Sequence, residues 1–258
     1  MFLKSIQGNQ PLIAAAIHNG NELRDEVARI MALDEKSRLR EEDPYTGTLT
    51  TIARNQLVVY RSRFEVDLNR PREKAVYLVP EDAWGLNVWK EQPTDEIVTR
   101  SLSQYDYFYS HVHQICTRME KTFGHFVVLD LHSYNHRRQG AEAPPADSDE
   151  NPEVNIGTGT MNREKWAGLV DRFIYDLLAF DYFGRSLDVR ENVKFRGGQL
   201  VRYIHEKFPE SGCALAVEFK KFFMNEWTGT VDRSQLKAMR QALRSTLSGM
   251  MKELNTLA

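Results

Sequence analysis

The chain reads as a three-layer α/β/α protein, with helices covering both faces of a mixed β-sheet, and three observations predict this. Short apolar runs at Pro11–Ile17 (PLIAAAI), Phe126–Leu131 (FVVLDL) and Cys213–Val217 (CALAV) have the length and composition of strands buried on both faces. Longer segments with helical apolar spacing lie between them, and strands interleaved with helices specify this layering. Each run also stops at or just before an ionisable residue: His18, His132 and Glu218. In open α/β sheets ligands bind at the carboxyl ends of the strands, which is where these three side chains fall.

The first strand, 11–17, ends in His18-Asn19-Gly20, a tight turn, after which Asn21 is placed to cap a helix over Glu22–Ala32. Residues 39–45 (LREEDPY) carry Glu41, Glu42 and Asp43 in a row, a pattern expected on a solvated face. Pro44 holds Asp43 in extended geometry at a loop entrance. Thr48–Ala53 reads as a short helix and Leu57–Tyr60 as a strand. From 64 to 69 apolar and polar residues alternate, which predicts that the strand continues with Glu65, Asp67 and Asn69 on one face among several arginines. Such a cluster suits either an internal ion-pair network or the recognition of a carboxylate by arginine's planar fork.

Residues 78–95 read as irregular, with Trp84 and Trp89 either walling a cleft or packing inside. Glu96–Thr122 is a long core helix in which His111 and His113 are ordinary helix residues. In the central strand Asp130 and His132 stand two apart and so share a face. Residues 139–154, rich in Ala, Pro, Asp and Glu, predict a mobile surface loop at a strand end, where lids occur. Asn155–Thr160 is a glycine-containing turn able to contact substrate, without the GK[ST] of a phosphate loop. There follow a helix over Arg163–Phe180, a strand over Leu187–Val193, a turn at Phe195–Gly198, a helix over Gln199–Lys207, the strand 213–217 and a helix over Ser234–Leu257. The whole of 1–258 is expected to form one domain.

Composition narrows the function. A net charge of −2 over 258 residues gives no electrostatic ground for a nucleic-acid or membrane partner. The longest apolar run, 11–17, is too short to span a bilayer, and the first residues lack a signal-peptide core, so a cytoplasmic location is expected. Cys116 and Cys213 form no metal or disulfide motif. Two histidines, an acid and a further glutamate at strand exits match a catalytic zinc site, with three protein ligands and an open position for water. Neither HExxH nor GxSxG occurs.

The runs His18-Asn-Gly, Arg61-Ser-Arg-Phe-Glu-Val-Asp-Leu-Asn-Arg70, Asp130-Leu-His-Ser-Tyr134, Asn155-Ile-Gly-Thr158, Phe195-Arg-Gly-Gly198 and Glu218 resemble the N-formylglutamate amidohydrolase (deformylase) family. They also look like the site of the related zinc carboxypeptidases. The resemblance covers nearly the whole chain and implies a zinc-carboxypeptidase-like fold, one divalent zinc ion and a small N-acyl amino acid as substrate, in a monomer or homodimer. It implies metal ligation by His18 and His132, general-base catalysis by Glu218 and polarisation of the carbonyl by Arg63. Substrate contacts would come from Asn69, Arg70, Arg138 and Asn155, and Asp130 would orient a ligand or a nearby arginine. The acidic ligand departs from the carboxypeptidase His-x-x-Glu, because the spacing here is His18-x-x-x-Glu22. Formylglutamate amidohydrolases carry an acid in a later loop, and Asp43 falls at that place, with Glu22 and then Glu42 as alternatives.

Overall fold

The computed structural model describes residues 2–257. Its strands are β1 (Leu3–Ile6), β2 (Leu12–Ala16), β3 (Asn55–Val59), β4 (Phe126–Tyr134), β5 (Val154–Gly157), β6 (Val189–Glu191) and β7 (Gly212–Lys220). Its α-helices are α1 (Asp25–Ile30), α2 (Glu35–Glu41), α3 (Thr46–Leu49), α4 (Asp95–Phe123), α5 (Ala167–Ala179), α6 (Gln199–Lys207), α7 (Arg233–Ser245) and α8 (Leu247–Asn255). The strands form one seven-stranded sheet in the order β1-β3-β2-β4-β7-β5-β6. β1 and β5 run antiparallel to their inner neighbours and the other pairings are parallel, so the sheet is mixed.

Period-two alternation sorts each central strand between two cores. Leu12, Ala14, Val127, Leu129, Leu215 and Val217 pack with residues of α5, α7 and α8. Ile13, Ala15, Phe126, Val128, Ala214 and Ala216 pack on the other face with residues of α4 and α6. That produces the three layers. No described helix is long and apolar enough to cross a membrane.

Several expectations need correction. Residues 64–69 are not a strand: they form successive turns, in which the Glu65 and Val66 amides bond the Ser62 carbonyl and the Asp67 amide bonds that of Ala75. The alternation is nevertheless real. Phe64, Val66 and Leu68 are buried, and so are Glu65 and Asp67, because arginines neutralise them inside. The helix after Gly20 starts at Asp25, and Asn21 does not cap it; its side chain instead reaches Glu35. The acidic run 41–43 is not a solvated face, for Glu42 and Asp43 are almost fully buried. The C-terminal helix breaks at Thr246 into α7 and α8, and β1 and α2 were not anticipated. Residues 139–153 carry turns and bends, without helix or strand.

Gly20 is fixed by close approach rather than by conformation. A methyl group there would lie 2.0 Å from the backbone carbonyl carbon of Tyr60. Backbone cannot rotate out of the way as a side chain can, so Gly20→Ala is expected to destabilise the fold by about 1–3 kcal/mol or more in denaturant unfolding. An unchanged midpoint would show that the turn after β2 is not as tightly seated as described.

Candidate active site

The site lies at the carboxyl ends of β2, β4 and β7. β4 and β7 pair in register with His132 opposite Glu218, on the same sheet face as Asp130. His18 follows β2, which is bonded to β4, so both imidazoles reach one end of the sheet. Asp43 is brought in from the loop after α2: its amide donates to the His18 carbonyl at 2.9 Å, and Pro44 follows it. Tyr45 then takes a left-handed conformation at φ 70°, turning the chain into α3.

The donor atoms converge. His18, Asp43 and His132, all buried, offer ligand atoms lying within 4.8 Å of one another. Asp43 Oδ2 is 2.9 Å from His132 Nδ1 and 3.5 Å from His18 Nδ1. The ring centroids are 4.9 Å apart and steeply inclined. The opposite nitrogens face two further carboxylates. His18 Nε2 is 2.7 Å from Asp67 Oδ1, and His132 Nε2 is 3.0 Å from Asp130 Oδ1, the latter without hydrogen-bond alignment. A carboxylate behind the imidazole is the arrangement that fixes the tautomer of a metal-binding histidine. Among the described residues this is the group able to hold a cation, and of the three acidic candidates it includes Asp43. Glu22 stays exposed, bridged through its backbone to Arg61, and Glu42 bonds Ser62 instead.

The electrostatics favour a positive guest. Burial pushes the Asp43 carboxyl up, but the two imidazoles that face it, His132 first, outweigh this and hold the group well below the carboxylate range. Asp67 behaves alike, with burial opposed by Arg63 and His18. Burial lowers His132, yet Asp130 and Glu218 reverse this and hold it well above the usual histidine value. His18 Nδ1 is buried without a hydrogen-bond partner. An orphaned ring nitrogen, a second imidazole and an ionised carboxylate aimed at one point, in a field of buried acids, fit a divalent cation of the zinc type. Burial also pushes Glu218 up to about 7.

Above the cluster is a cavity of about 190 Å³, whose wall includes Arg63, Asn69, Arg138 and Glu218. Arg63 is held by Asp67 at 2.8 Å, the Tyr77 hydroxyl at 3.2 Å and the Glu41 carbonyl at 3.2 Å. Arg138 pairs with Glu41 at 3.2 and 3.4 Å. Trp84 is on the wall, whereas Trp89 packs inside with its indole N–H on the Tyr77 carbonyl. Two expected contacts lie elsewhere. Arg70 stands beside the cavity, stacked over Tyr77 at 4.7 Å and 3.6 Å from Asp67. Asn155 is fully buried and uses its amide on the backbone of Lys194 and Phe195, so it shapes the 194–195 turn and does not face the cavity. Sequence reasoning assigned no role to Asp67, although it stood in the acidic alternation, nor to Arg40, Asn135 or Lys221. Lys221 is the least expected: it is almost fully buried, with Nζ on the carbonyls of Arg40 and Glu42 at the end of α2.

A model of the N-formylglutamate amidohydrolase family matches residues 10–224. The chain belongs to this family. It is accordingly a hydrolase acting on amide bonds. An N-formylglutamate amidohydrolase from Ralstonia eutropha JMP134 superposes over 99% of this chain and 98% of its own, with a TM-score of 0.73 and 16% identity. The gene product Atu2144 from Agrobacterium tumefaciens covers 97% and 96% of the two chains at TM-score 0.67 and 15% identity. These likenesses establish the fold. A search of curated proteins gave no significant match.

Proposed function

We propose that this amidohydrolase uses one zinc ion, held by His18, Asp43 and His132, to hydrolyse an N-acyl amino acid, with N-formylglutamate the first candidate substrate. The observation that carries this reading is the convergence of three buried donor atoms within 4.8 Å, with Glu218 on the wall of the same cavity. A bound zinc ion supplies Lewis acidity, acidifying water and polarising the acyl carbonyl. Glu218, raised to about 7 by burial, is suited to take a proton from the attacking water and deliver it to the departing amine. The C–N bond then breaks and the products are a carboxylic acid and a free amino acid; from N-formylglutamate these are formate and glutamate. Asp67, hydrogen-bonded to His18 Nε2 at 2.7 Å, keeps that imidazole in the tautomer whose Nδ1 lone pair faces inward, and the Asp130 carboxylate stands on the corresponding side of His132. Arg63 supports the developing charge on the carbonyl oxygen, and Asn69 and Arg138 offer donors to the substrate carboxylate. The cavity is small against the range of ~300–1,000 Å³ common for ligand sites, which suits an amino-acid-sized substrate rather than a longer peptide.

The test is to load the protein with zinc and follow formate and glutamate release from N-formylglutamate. Release at a rate set by bound zinc is expected. Release from other N-acyl amino acids but not from N-formylglutamate would move the assignment to a deacylase of different acyl specificity. No release from any of them would remove the reading. Within the same reading, Asp67→Asn is expected to weaken zinc affinity by ~10–100-fold, because His18 loses the carboxylate behind its ring. Competition with a chromophoric chelator measures it, and unaltered affinity would show that Asp67 serves Arg63 rather than His18.

A further inference from the structure

The cavity is lined by four cationic side chains, and three of them are engaged by the protein itself. Arg63 is bonded to Asp67, Tyr77 and the Glu41 carbonyl; Arg138 to Glu41; Lys221 to two backbone carbonyls. The fourth, Arg40, differs. Among the described residues its guanidinium makes neither a hydrogen bond nor an ion pair. It acts at longer range on Asp34, whose carboxylate already accepts from the Ser37 amide. It is nevertheless held in place. Its guanidinium carbon stacks 4.1 Å over the Trp227 ring. Trp227 is fixed in turn by its indole N–H on the Arg137 carbonyl at 2.7 Å. The main chain of Arg40 is pinned by Lys221, which donates to its carbonyl. A stacked guanidinium keeps the edge donors of its plane free, and that fork matches a carboxylate in bidentate fashion.

From this geometry we propose that Arg40 is a specificity-determining residue, binding the side-chain carboxylate of an N-acyl dicarboxylic amino acid. Asn69 and Arg138 are then left for the α-carboxylate. The inference rests on the amidohydrolase reading and adds the residue that selects the side-chain carboxylate of its substrate. A second observation suits a polar substrate at the same wall. Asn135, 6% exposed and lining the cavity, gives its amide N–H to Glu41 and leaves its Oδ1 without a partner. That oxygen can accept from a donor on the ligand such as the substrate's amide N–H.

The experiment uses binding rather than turnover, so that it stands apart from the reaction assignment. Calorimetry on the zinc-loaded full chain carrying Glu218→Gln compares N-formylglutamate with N-formylglutamine, two ligands of nearly equal shape differing in one charge. A preference of about 10–100-fold for N-formylglutamate is expected, the range for a hydrogen-bonded charged pair. Adding Arg40→Gln should collapse that ratio to near unity, and Arg40→Lys should restore part of it. Trp227→Leu should lower the ratio while keeping the charge, since the guanidinium loses its support. A ratio unchanged by Arg40→Gln, or absent in the parent, overturns the proposal. Loss of the preference in Arg40→Gln together with failure of Arg40-intact protein to hydrolyse N-formylglutamate would leave Arg40 in its role and remove only the reaction assignment.

Discussion

Glu218→Gln is expected to lower kcat by about 10²–10⁴-fold, the usual contribution of a positioned general acid–base group. Gln is nearly isosteric with Glu, so the fold, the bound zinc and substrate affinity should survive. Glu218 is 9% exposed, near the end of the largely buried β7 and opposite His132 in register, so it has little freedom to be replaced by another group. The pH dependence carries an independent signature. Burial raises this carboxyl from 4.5 to about 7. The base is needed ionised, so kcat/KM should rise with pH through an acid limb at or below about 7, a nearby dication pulling the value down. In Glu218→Gln that limb should vanish. A retained rate, or a retained acid limb, would assign the proton transfer to another group.

The second large effect concerns Asp43. Asp43→Asn keeps the shape and removes the charge that both imidazoles face at 2.9 and 3.5 Å. Zinc content, about one ion per chain in the parent, should fall to near zero after dialysis, with activity following it. Unfolding provides a readout free of catalysis. Zinc at ~100 times its dissociation constant should stabilise the parent by about 2.7 kcal/mol, and this shift should disappear in Asp43→Asn. A variant that still binds zinc with the parent's affinity would return the acidic ligand to Glu22 or Glu42.

What could be read from sequence was what depends on local pattern. The apolar runs of β2, β4 and β7 and the spacing of α4 placed the sheet and its long helix, because burial on both faces leaves an uninterrupted apolar signature. His18, His132 and Glu218 were legible as the points where those runs stop. Residues 64–69 misled because a string of turns can bury alternate residues as a strand does, when arginines from other segments neutralise the acids between. Helix α2 escaped because EKSRLRE has no apolar stripe; its last carbonyls are capped by Lys221, which lies 181 residues from Arg40 along the chain. The pairing of His18 with Asp67, the convergence of Asp43 on both imidazoles and the freedom of Arg40 are all contacts between distant segments, for which no local pattern exists.

The central claim is that one divalent ion sits between two Nδ1 atoms and Asp43. Anomalous diffraction at the zinc edge from crystals of the zinc-loaded protein tests it most directly. One strong peak is expected, at about 2.0–2.2 Å from His18 Nδ1, His132 Nδ1 and an Asp43 carboxylate oxygen. A peak on the Nε2 side of either ring, or a peak away from Asp43, would contradict it.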